Sequence, residues 1–157
     1  MIAVKPFISL TVATLAAWSL GAAVPALAQE GPQPRLQTTP LSIGMHVVQA
    51  ELAITPLQQQ TGMMFRKSMG TNEGMLFVND EPGLRCFWMR NTLLPLTIAF
   101  IADDGSIVNL ADMKPLDESS HCSLKPVRFA LEMNQGWFAK RGFKAGDKLR
   151  GAPFGKR

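Results

Sequence analysis

Leu96-Thr97-Ile98-Ala99-Phe100-Ile101-Ala102-Asp103-Asp104-Gly105-Ser106-Ile107-Val108-Asn109-Leu110 decides the fold class. Leu96, Ile98 and Phe100 alternate with Ala99 and Ile101, so both faces of this segment are apolar, as an interior strand of a sheet covered on both sides requires. Asp103-Asp104-Gly105 then interrupts the run, and Asp-Gly supplies the positive φ values of a hairpin turn. Leu96 to Ala102 and Ser106 to Met113 are therefore read as an antiparallel pair with the first strand near the centre of its sheet.

The flanking sequence extends the β pattern in both directions. From His46 to Ile54, Val48, Ala50, Leu52 and Ile54 share one side while Gln49 and Glu51 point the other way, the alternation of a half-buried strand. Thr55-Pro56-Leu57-Gln58 opens a helix, with threonine as N-cap, proline at the first helical position and Gln58 closing a capping box; it is expected to fade around Arg66 to Gly70. Met75 to Asn79 and Cys86 to Arg90 form two short strands about the polar turn Asp80-Glu81-Pro82-Gly83. Asp112 to Pro126 is a polar loop, Val127 to Met133 a strand, Gln135 to Arg141 a short helix stopped by Gly142, and Asp147 to Leu149 a last strand. At least six short strands and two short helices predict a mainly β (α+β) domain, a small β-barrel or strongly curved sheet with one or two short covering helices.

The N-terminus reads differently. Met1 to Lys5 is a short basic start, Pro6 to Ala23 is almost uncharged, and Ala26-Leu27-Ala28 before Gln29 is the small-x-small pattern that signal peptidase cleaves. Residues 1–28 are expected to be a signal peptide cleaved after Ala28, giving a periplasmic or secreted protein with no stable membrane insertion after cleavage; an uncleaved anchor is the alternative, since the apolar run approaches the roughly 20 residues that span a bilayer. Residues 29–40, with Pro32, Pro34 and Pro40 among Gly, Gln and Thr, are expected to be a disordered lead-in. Residues 41–157 form a single domain ending in a short basic tail. Loss of Lys5 takes the formal net charge from +4 to +3 with the signs interspersed, a balance that favours solubility over any particular partner. Export and the lack of aromatic interleaving in the basic tail argue against nucleic acid.

Cys86 and Cys122 are read first as a disulfide, because an exported chain meets an oxidising compartment. The bond would close a loop of 37 residues counted inclusively, worth about 4 kcal/mol in the chain-entropy model. Two alternatives stand beside it: Cys122 as a nucleophile beside His121 or His46, and a metal site made of both cysteines and both histidines, which lacks closely spaced ligand pairs. The methionines of the mature chain can bind Cu(I) in the periplasm, but they fall within apolar strands and the helix, where flexible core filling accounts for them. No cofactor or metal is assigned. The chain lacks a Gly-rich phosphate loop, a serine nucleophile elbow, HExxH, CxxC and the dinucleotide fingerprint, which removes the commonest enzyme classes.

Cys86-Phe87-Trp88-Met89-Arg90-Asn91-Thr92-Leu93-Leu94-Pro95-Leu96 gathers aromatic, guanidinium and amide groups at the end of one strand. Alternation puts Trp88 and Arg90 on one face and Phe87, Met89 and Asn91 on the other; an Arg beside a Trp holds a carboxylate, a sugar hydroxyl or a partner's backbone. Core packing of Trp88 and an acidic partner for Arg90 is the alternative. Together with Gly62-Met63-Met64 and Arg66, Gly74-Met75-Leu76-Phe77, Ala130-Leu131-Glu132-Met133 and Gly136, this run closely resembles the DUF192 family, from about Leu41 to Leu149. The resemblance implies a small β-barrel-like fold, carries no known activity or catalytic residue, and implies that the cysteine pair belongs to exported members only.

The leading expectation is a periplasmic or secreted module in which Trp88, Arg90 and Asn91, with Asp112 and His121 from the polar loop, receive a small polar ligand or an envelope protein. A hydrolase or transferase acting on an envelope component would instead bring Asp112, Asp117, Glu118 or Glu132 together with Arg90 in a concave site, and copper handling would need free thiols and methionines near His46 or His121. The intact mass of the exported protein is expected to match cleavage after Ala28, with no cysteine alkylated until reductant is added; two freely alkylated cysteines would put thiol or metal chemistry first.

Overall fold

The computed structural model describes residues 31–155. The signal-peptide reading over residues 1–28 and the mature start at Gln29 lie outside the described residues. β1 (Thr38–Ile43) and β2 (His46–Ala53) are followed by α1 (Pro56–Thr61), β3 (Glu73–Gly83), β4 (Cys86–Phe87), β5 (Leu96–Ile101), β6 (Ile107–Met113), β7 (His121–Cys122) and β8 (Val127–Asn134). Six strands form one sheet in the order β1-β2-β3-β8-β5-β6, and β4 and β7 pair separately. β2 and β3 run parallel, joined by the crossover that contains α1, and every other pair is antiparallel.

The mainly β expectation holds, and so do the hairpin and the helix start. β5 lies between β8 and β6 with all six residues buried. At α1 the Thr55 hydroxyl accepts from the Gln58 amide, the Gln58 side chain accepts from the Thr55 amide, and Pro56 fills the first position. The helix stops at Thr61, short of the expected fade, because Gly62 (φ 48°) turns the backbone and donates to Gln58 O.

Strand pairing does not close a barrel. β1 and β6 end the sheet, and the C-terminal segment lies against both: Ser42 and Arg150 exchange backbone bonds at 2.8 Å, while Ile107 donates to Asp147 O and Leu149 to Gly105 O. The expected strand at Asp147 to Leu149 is thus one isolated bridge, Lys148 with Ser106, followed by a second at Arg150 with Ser42. The helix expected over Gln135 to Arg141 shrinks to a 3₁₀ turn, Ala139–Arg141, because Gly136 is left-handed and the adjacent Trp137 and Phe138 are both buried. Asp80 to Gly83 belongs to β3, which bulges against β8 between Val78 and Gly83. β4 ends at Phe87, two residues after which Met89 turns inward and donates to Asp117 O.

The sheet is covered on both faces. On one, Val48, Ala50, Leu76, Ala99 and Leu131 pack under Trp137, Phe138 and Leu149. On the other, Met75, Phe77, Ile98, Phe100 and Ala130 pack under Met63 and Met89, which come from the connections after α1 and β4. β3 and β8 approach so closely that a Cβ on Gly74 would stand 2.6 Å from Glu132 O, which explains a glycine inside an apolar strand.

Two expectations are corrected together. The lead-in is not disordered over Gly31 to Pro40: Gln33 is buried and donates to Gly62 O at 2.8 Å, Leu52 donates to Gln37 O, and β1 begins at Thr38. Nor does Glu51 face solvent. It is buried, accepting from Arg66 Nη1 at 2.6 Å and Nη2 at 2.8 Å, from Arg35 Nη1 at 2.8 Å and from the Leu36 amide at 2.8 Å. Proline-rich composition misleads here because the segment is held by a buried charge, which composition does not register. Removing one partner of a buried ion pair leaves the other uncompensated: Arg66→Ala is expected to lose about 3–5 kcal/mol in denaturant unfolding, and a loss within that of an ordinary surface substitution would show that the pair does not fasten the segment.

Candidate functional site

Glu51 of β2, Met75 of β3, Glu132 of β8, Ile98 of β5 and Ala111 of β6 are register partners in one row across the sheet. Neighbouring strands are roughly 4.8 Å apart, so two carboxyl groups share a buried row with one methionine strand between them. Their surroundings separate them chemically. Burial acts to raise the Glu51 carboxyl, but bonds from Arg66, Leu36 and Arg35 outweigh it and hold it below the usual carboxylate range. Glu132 receives no hydrogen bond or ion pair from any described residue, and burial alone pushes it up to about 8. At neutral pH Glu51 is therefore an anion and Glu132 a neutral acid.

Above Glu132 opens a cavity of about 260 Å³. Gln59 to Met64, at the end of α1 and just beyond, form one wall; Phe77 and Asn79 of β3 form a second; Arg85, Cys86, Phe87, Trp88 and Thr92 form the third. Phe87 meets Phe77 edge-on at 4.8 Å and Phe100 at 5.9 Å, seating this wall on the core. Cys86 is paired in register with Cys122 and bonded to it, so a disulfide fastens β4 to β7 at the edge of the cavity. The covering loops are tied to one another by backbone bonds: Phe65 donates to Asn91 O at 2.8 Å, Met89 to Asp117 O at 2.7 Å and Leu116 to Thr92 O at 3.1 Å. Phe65, Asn91 and Leu116 all have positive φ (62°, 54° and 61°). Such a conformation persists in a phenylalanine or a leucine only where its surroundings enforce it.

Of the residues expected to bind, Trp88 lines the cavity, is 48% exposed, and carries the Arg90 guanidinium 5.7 Å from its ring centroid. Asn91 is exposed in the adjoining turn. His121 pairs with Phe87 and has a buried, unpartnered Nε2. Asp112 does not join them: it accepts from Thr97 Oγ1 at 2.6 Å and, with Phe138 and Phe143, lines a separate depression. Among the four candidate carboxylates only Glu132 enters the cavity, and the arginine beside it is Arg85 rather than Arg90. Asp117 is turned onto the Ser119 amide and hydroxyl, which hold it low. The disulfide removes the free thiols that a cysteine metal site or nucleophile needs, and among the described residues no cluster of three or more His, Cys, Asp or Glu is placed to hold a metal. No described helix is long and apolar enough to cross a membrane.

Sequence reasoning missed Gln59, Asn79, Arg85 and Thr92, which come from four segments. A signal for the floor was present: in Phe129-Ala130-Leu131-Glu132-Met133, alternation puts Glu132 on the same face as Ala130, an acid inside an otherwise apolar strand.

The family model for DUF192, described as an uncharacterized ACR, matches residues 39–151. No curated protein matches. A crystal structure from Sinorhizobium meliloti 1021, of a candidate transcription regulator, superposes with a TM-score of 0.74 at 34% identity, covering 76% of this chain and 98% of that one. A second, of a protein of unknown function from Novosphingobium aromaticivorans DSM 12444, gives 0.71 at 39% identity, covering 82% and 94%.

The elevated Glu132 carboxyl makes stability depend on pH. Between its usual range near 4.5 and about 8 the folded chain keeps this proton while the unfolded chain releases it, so stability falls as pH rises through that window and levels off above it. Wild-type Tm is expected to drop between pH 5 and pH 8, and Glu132→Gln to flatten the drop and exceed wild type at pH 9. Parallel profiles for the two proteins would show that Glu132 ionises normally.

Proposed function

The chain belongs to the DUF192 family, whose biochemical function is unknown, and on that premise we propose that it is an exported binding module whose ligand is a small polar molecule seated in the cavity above Glu132. One observation carries the reading: an open cavity of about 260 Å³ whose floor is a buried carboxyl left without any described partner. Unpaired buried polar groups cost roughly 1–3 kcal/mol, so a fold that keeps one beneath an opening has a natural use for it as a ligand contact. Trp88 at the mouth, half-exposed beneath Arg90, offers a flat apolar surface beside a charge. The disulfide and the signal-like N-terminus support a periplasmic or secreted location. Leu84, Leu93, Leu116 and Leu124 are exposed on neighbouring loops and give the same region apolar area for an envelope protein.

A hydrolase or transferase reading rests on the carboxyl of Glu132, with no second carboxylate lining its cavity among the described residues. Binding requires only the geometry present.

The test is a ligand-observed NMR screen of the small-molecule fraction of an envelope extract against wild type and Trp88→Ala, whose truncation touches an exposed ring and leaves the core intact. Signals attenuated by wild type and restored in the variant by tenfold or more in affinity are expected. A screen with no Trp88-dependent binder would overturn the pocket reading, and recovery of the protein only from the cytoplasmic fraction would overturn export.

A further inference from the structure

Three polar side chains of the cavity, Gln59, Asn79 and Glu132, turn acceptors to it. Gln59 Nε2 donates to Val78 O at 2.7 Å and Asn79 Nδ2 to Arg128 O at 2.9 Å, and among the described residues nothing donates to either side-chain carbonyl oxygen. Glu132 lines the cavity, and its carboxyl accepts from none of the described residues. Arg85, the cation that the described lining contains, donates from Nη2 to Glu81 O at 2.7 Å, and its Nε is buried without a partner. Phe87 and Trp88 add ring surface. Free acceptors with aromatic walls complement a donor-rich cation.

Resting on the pocket reading above, we propose that the ligand is a compact organic ammonium whose N–H groups bond the Glu132 carboxylate and the carbonyl oxygens of Gln59 and Asn79. The exchange balances simply: the ammonium keeps its protons, Glu132 gives its carboxyl proton to bulk water, and an ion pair replaces a neutral acid at the cavity floor. Below the carboxyl's titration each bound cation therefore expels one proton, and affinity falls about tenfold per pH unit. The other charged or titratable groups around this face are Arg85 before β4, the Glu51–Arg66 pair of β2 and the loop after α1, Arg128 of β8 and His121 of β7. Only Arg85 lines the cavity.

The experiment titrates the mature, disulfide-bonded protein with n-butylammonium, n-butanol and butyrate, three probes of one carbon skeleton and three charges, by calorimetry at pH 6.5 and 8.5 and by the chemical shift of the Trp88 indole. The cation is expected to bind at least tenfold more tightly than the other two at pH 8.5, to release about one proton at pH 6.5 in buffers of different ionisation enthalpy, and to bind a few-fold more tightly to Arg85→Gln, which lacks the like charge. Glu132→Gln is expected to abolish the preference; if that variant does not fold, proton release by wild type decides the matter alone. Equal or tighter binding of butanol or butyrate with a shifted Trp88 signal would overturn the ammonium class and leave the pocket reading standing. Failure of all three probes to bind would also overturn the ammonium class, while the Trp88-dependent screen judges the pocket separately.

Discussion

The bidentate contact of Arg66 with Glu51 reaches from the loop after α1 into the buried side of β2, and the order of the surrounding segments follows from it. Glu51 also holds Arg35 and the Leu36 amide, so one carboxylate fixes the N-terminal segment and the α1–β3 loop against the same strand. That loop in turn gives Phe65, whose amide bonds Asn91 O, and through Thr92 and Leu116 the tie continues to the β6–β7 connection. A lid made of loops has little regular structure to hold it. Here a charge pair removed from water, where Coulomb attraction is least screened, supplies the anchor.

The same anchor explains the state of Glu132. Both terminal nitrogens of Arg66 are engaged by Glu51, and Arg85 is tied through Nη2 to the Glu81 carbonyl. Among the described residues no cation pairs with Glu132, so burial acts unopposed and Glu132 keeps its proton. Two identical side chains thus perform opposite duties: an ionised one fastens the cover, and a neutral one waits under the opening.

On the far side of the cavity a covalent link takes over. β4 and β7 have only two residues each, too few to be stable as an isolated ribbon. The disulfide between Cys86 and Cys122 holds the two strands together, and the seating of Phe87 against Phe77 and Phe100 holds this wall against the main sheet. The cavity walls are held at both ends, by the ion pair and by the disulfide, and tied to one another between them.

What could be read from the chain by itself was the local part of this architecture. Apolar patterning identified β2, β3, β5, β6 and β8 but not β1 or β7, Asp-Gly the hairpin and Thr55-Pro56-Leu57-Gln58 the helix start, because those signals are set by neighbours in sequence. The ordered motifs identified the DUF192 domain, and the two cysteines pointed to their bond. Tertiary structure alone decided the rest. Alternation could place Glu51 and Glu132 on a face, but not say that the first would meet Arg66 and the second nothing, since those partners arrive from segments with no local relation to the strand. It likewise placed Trp88 at the cavity and Asp112 away from it, where strand order rather than strand pattern rules. A carboxyl's charge depends on what surrounds it in space, and only the packed sheet with its two covers fixes those surroundings.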